Sequence, residues 1–165
     1  MFKKSWLKAC ALFAVLFVGA AQLPALAAPY QELNAEDVAM QGKYVDSMSR
    51  GIAKFYEIRH GKPVAPGQLA EIRRILAETF PKIIAVVKRS EYYEEYKAHM
   101  FDTEIDRMNE DILSAPNAAE IQKRSQVQVE YIAKKYPRLT QWMNSNQELR
   151  NIAMGMFERV RNVLK

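Results

Sequence analysis

The chain has 165 residues, with 24 Lys and Arg, 19 Asp and Glu, two His and a single Cys, which excludes an internal disulfide framework. Lys3, Lys4 and Lys8 stand ahead of residue 28 with no acid beside them, so the remainder holds 21 bases against 19 acids. That near balance, +2 out of a whole-chain +5, gives no electrostatic footprint for nucleic acid.

Met1-Phe2-Lys3-Lys4 leads into an apolar run from Ala9 to Ala21 and then into Leu23-Pro24-Ala25-Leu26-Ala27. A charged start, a short apolar middle and a small-x-small end form the pattern of a secretory signal peptide. The run is shorter than the roughly 20 residues that a bilayer-spanning helix needs. The expectation is a cleaved signal peptide over 1–27, a periplasmic location, and a single all-helical domain over 28–165. Cys10 leaves with the leader, so the mature chain has no thiol nucleophile.

After an extended lead-in, Asn34 opens a helix with Glu36 and Asp37 in its first turn, where carboxylates suit the positive helix end. Val38, Val45, Met48, Ile52 and Phe55 form its apolar stripe. A loop follows over Gly61 to Gly67, with Pro63 and Pro66. Leu69, Ile72, Ile75, Leu76 and Phe80 make the next stripe, which Pro81 must end or kink. Ile83, Ile84, Val86 and Val87 continue as helix.

Ser90 can cap a long helix from Glu91 to about Leu113. Its apolar positions drift, so either its buried face is wide or it bends near Asp102. Asn117 with Glu120 has a capping-box pattern and opens a helix carrying Ile121, Val129, Ile132 and Tyr136, which Pro137 stops. Leu139 to Met143 reads as a short connector holding Trp142. Ser145 with Glu148 reads as the capping box of a last helix carrying Leu149, Ile152, Met156, Val160 and Val163. The fold class is therefore all-α: one small bundle of four to five main helices.

Several constellations could carry chemistry. Glu95, His99, Asp102 and Asp106 share one helical face, and imidazole beside carboxylates is a donor set for a divalent cation. The same spacing also describes a solvated acidic face. Glu57-x-x-His60 is half of a two-metal bundle motif, and Met154-Gly155-Met156 offers two thioethers for Cu(I). Tyr92, Tyr93 and Tyr96 could line a ligand pocket. A nucleophile, base and acid at catalytic spacing is not visible, so the reading leans away from an enzyme.

Charge is segregated along the chain. Eight acids lie between Glu91 and Asp111 against Lys97 and Arg107, and nine bases between Ile121 and Lys165 against three acids. These helices either pair with each other or present a basic surface to an envelope protein, cell-wall polymer or lipid. The functional expectation is a non-enzymatic adaptor or chaperone-like protein of the cell envelope. The alternative is a periplasmic binder of a small ligand or metal ion, with the cofactor unknown.

Overall fold

A computed structural model describes residues 32–165; the expected signal peptide over 1–27 and Cys10 lie outside them. The described residues are all-helical. Seven helices follow one another: α1 (Ala35–His60), α2 (Pro66–Lys88), α3 (Tyr93–Met100), α4 (Thr103–Leu113), α5 (Ala118–Lys135), α6 (Pro137–Ser145) and α7 (Gln147–Val163). The expectation of four to five does not match this number, for two reasons. The long helix divides at Asp102. The presumed connector around Trp142 is itself helical, because Pro137 occupies the first turn, where its missing N–H costs nothing.

Local chemistry sets the helix ends. Asn34 and Asp37 form a reciprocal capping box, with N–H to side-chain oxygen distances of 2.8 and 3.0 Å. Gly61 ends α1 in the left-handed region at φ 68°, and its N–H donates to Glu57 O. Two expected caps move. Ser90 bridges the α2–α3 turn, donating to Val87 O and accepting from Tyr92 N, while α3 begins at Tyr93. Asn146, not Ser145, caps α7 through Leu149 N. Ser145 turns back to Trp142 O instead.

α1 and α2 pack as an antiparallel hairpin, tied by Asp37 to Lys88, Gln41 to Ala77 and Asp46 to Arg73. The buried line of α1 runs through Met40 rather than Val38, which is 54% exposed. α7 also lies antiparallel to α2, with Arg159 on Glu78 and Arg89 on Glu148, and touches α1 where Tyr44 bonds Met156. α4 and α5 form a second hairpin, joined by Arg124 to Asp111 and Gln128 to Asn109. Much of the core gathers around α2, whose Ile72, Ile75, Leu76, Phe80 and Val87 are fully buried.

Pro81 does not end α2. It lies inside the helix and removes the amide that would reach the Ala77 carbonyl four residues back. Gln41 of α1 donates its side-chain N–H to that carbonyl at 2.8 Å. A neighbouring helix thus supplies the donor that the sequence withholds, and the apolar run after Pro81 stays in line with the run before it.

Replacing Gln41 with Leu should cost about 1–2 kcal/mol, because it leaves the Ala77 carbonyl without a donor. In a Pro81→Ala background an amide returns, and the cost should shrink toward zero. A urea-denaturation double-mutant cycle measures the difference; equal costs in both backgrounds would remove the compensation.

Candidate functional site

The site begins at the α3–α4 junction. Asp102 has an extended backbone, φ −71° and ψ 111°, and its carboxylate caps α4 by accepting from Glu104 N at 3.0 Å. The same carboxylate accepts from Tyr136 OH at 2.9 Å and pairs with Lys135 at 2.8 Å. Burial opposes its ionisation, but the Lys135 ammonium, the Tyr136 hydroxyl and the Glu104 amide outweigh that and hold its carboxyl at about 2. One side chain therefore stops a helix, starts the next and fastens both to the α5–α6 corner.

This bend wraps α3 and α4 around a cavity of about 250 Å³ to which every one of the seven helices contributes. Lys43, Tyr44 and Met48 come from α1, Ile83 from α2, and Tyr96, His99 and Met100 from α3. Ile105 and Asp106 come from α4, Val129 and Ile132 from α5, Thr140 and Met143 from α6, and Leu149, Ala153 and Met156 from α7. The wall is predominantly apolar. An apolar cavity of roughly 150 Å³ already accepts benzene, so this one has room for a ring with substituents.

Two polar atoms on residues of that wall make no hydrogen bond within the protein: His99 Nδ1 and Thr140 Oγ1, both buried. Buried polar groups in folded proteins are almost always paired, because an unpaired one costs about 1–3 kcal/mol. Burial is the main cause that lowers His99 to about 4; Lys43 adds to the shift and Asp102 opposes it. At neutral pH the ring is therefore uncharged and offers one donor and one acceptor nitrogen. Tyr136 meets it edge-on at 5.5 Å.

The expected metal face does not converge. Glu95 accepts from Leu139 N, Asp102 is held by Lys135 and Tyr136, and Asp106 pairs with Lys43 at 2.7 Å. Among the described residues no three His, Cys, Asp or Glu side chains gather as a metal site. His60 stacks on Tyr56 at an exposed helix end, and the other histidine, His99, has Tyr96 and not Glu three residues before it. Met154 is 57% exposed whereas Met156 is buried, so the two thioethers face apart.

The three candidate tyrosines also separate. Tyr92 stacks on Trp142 at 5.1 Å, Tyr93 donates to the buried Asp37 at 2.9 Å, and Tyr96 alone lines the cavity. The acidic stretch spends its charge inside the fold. Asp106 and Glu110 pair with Lys43 and Arg50 of α1, while Asp102 and Asp111 pair with Lys135 and Arg124 of α5. Sequence reasoning missed Thr140, which lies in the segment read as a connector, and missed the methionines as a common wall.

The two shifted groups predict two separate acid transitions. His99 is held below its ordinary 6.5, so the unfolded chain binds a proton there that the folded chain refuses. Stability should fall as pH drops from about 6.5 toward 4, by on the order of 2 kcal/mol. Asp102 acts lower, its contribution being complete above about 4 and lost toward 2. Urea midpoints between pH 7 and 4.5 should slope for the wild type and flatten for His99→Leu; an unchanged slope would show that His99 is not held neutral.

No protein-family model, curated protein or solved structure matches this chain, so the cavity and its two unpaired groups are what a functional reading has to stand on.

Proposed function

We propose that this chain is an exported, non-enzymatic binding protein that holds a small, largely apolar molecule in its interior cavity through one hydrogen-bonding group. One observation carries the reading: His99 and Thr140, whose Nδ1 and Oγ1 are buried without a hydrogen-bond partner, both line the same predominantly apolar cavity. An apolar enclosure with a few fixed polar groups is the usual design of a small-molecule site. A histidine held near 4 is too weak a base for proton abstraction at neutral pH, which favours binding over catalysis.

The adaptor reading has less support. It calls for a contiguous exposed apolar patch. The exposed large apolar side chains among the described residues are Val38, Phe101, Val127 and Met154, one each from α1, the α3–α4 junction, α5 and α7. No described helix is long and apolar enough to cross a membrane. The signal-peptide pattern of residues 1–27 supports export to the periplasm.

Thr140→Val gives the decisive pair of readings. Removing an unpaired buried hydroxyl should raise stability by about 1 kcal/mol. It should also weaken binding of a small alcohol (phenol or cyclohexanol) followed by amide NMR titration. A destabilised variant with unchanged affinity would make Thr140 structural, and no binding of either alcohol at millimolar concentration would overturn the cavity reading. For export, the protein recovered from the periplasm should begin near Ala28 by N-terminal sequencing; an intact Met1 would contradict cleavage.

A further inference from the structure

The wall of the cavity carries a chemical preference. Four of the chain's eight methionines line it: Met48, Met100, Met143 and Met156. Each comes from a different helix, α1, α3, α6 and α7, so methionine side chains border the cavity from several sides. The sulfur of Met156 already accepts the Tyr44 hydroxyl at 3.0 Å. Thioether sulfur is polarizable and gains more from an aromatic ring than from an alkyl group of equal size.

Charge narrows the class further. Lys43 and Asp106, the ionised groups on the wall, already satisfy each other at 2.7 Å. A charged ligand therefore meets an ion pair already made, 32% and 46% exposed, rather than a free charge, and gains little from it. The other polar side chains of the wall, among them Ser47, Tyr96, His99 and Thr140, suit a neutral donor or acceptor. Resting on the binding function proposed above, we infer that the ligand is an uncharged aromatic molecule bearing a hydroxyl or a similar hydrogen-bonding group. The methionines sandwich its ring while His99 and Thr140 hold its polar end.

Phenol, cyclohexanol and benzoate separate the possibilities, because the first two share a hydroxyl and a six-membered ring and the third adds a charge. Amide NMR titrations of the wild type should rank phenol at least tenfold tighter than cyclohexanol and than benzoate. Met100→Leu/Met143→Leu keeps apolar volume and removes two sulfurs. In that variant phenol should lose most of its advantage while cyclohexanol affinity holds. Equal affinities for phenol and cyclohexanol in the wild type would overturn the aromatic preference and leave the cavity function standing. Tighter binding of benzoate would overturn neutrality. Binding of none of the three would overturn the cavity function itself.

Discussion

The carboxylate of Asp102 is the constraint on which the shape of this protein turns. It sits 8% exposed at a point where two helices could have been one, and it satisfies the first amides of α4 in place of the helix that stops before it. Without that break, α3 and α4 would continue as one helix, and the angle between the segments that border the cavity would be lost. Lys135 and Tyr136 hold the carboxylate ionised, so the same contact fastens the start of α6 to the bend. The cavity follows from this corner, because α5 and α6 are drawn to the open side of the α3–α4 angle.

The interior carries polar atoms that the fold leaves unpaired. His99 Nδ1 and Thr140 Oγ1 each leave a buried polar atom unpaired, at about 1–3 kcal/mol apiece. Domains of this size are stable by only about 5–15 kcal/mol in total, so two such groups are a large fraction. Ser125 Oγ and Arg150 Nε are also buried without a partner, on residues that do not line the cavity, whereas other buried groups are paired. Asp37, fully buried, is met by Lys88, by Tyr93 and by the Asn34 amide. Gln41 crosses to another helix to serve one carbonyl. Of the four residues that carry an unpaired buried polar atom among the described residues, His99 and Thr140 are the two that line the cavity, and the proposed binding function rests on that coincidence.

Much of the helical architecture was legible in the sequence, because periodicity and capping are local. Asn34, Asn117 and the stripe through Ile72, Leu76 and Phe80 act where the pattern places them. The drift of apolar positions past Met100 signalled a bend near Asp102, and the structure resolves it into a break. Of the two outcomes expected at Pro81, an end to the helix is excluded, and the donor that serves the freed carbonyl lies 36 residues away in the chain. Ser145 misled because Asn146, one residue on, is an equally good cap and wins the position. The site was less legible. Tyr96 was named in a tyrosine pocket whose other members lie elsewhere, and His99 on an acidic face whose Asp102 and Asp106 pair with cations of α5 and α1. A cavity built from seven helices leaves no spacing rule in the chain, and Thr140 and Met143 carry no local mark of belonging to it.

The most direct test observes the histidine ring itself. The chain has two histidines, and His60, exposed and stacked on Tyr56, serves as an internal control for His99. With the protein labelled at histidine nitrogen, phenol should shift the ring signals of His99 at neutral pH and leave those of His60 in place. The two imidazoles moving together, or His99 staying still while phenol binds elsewhere, would contradict a ligand site built on His99.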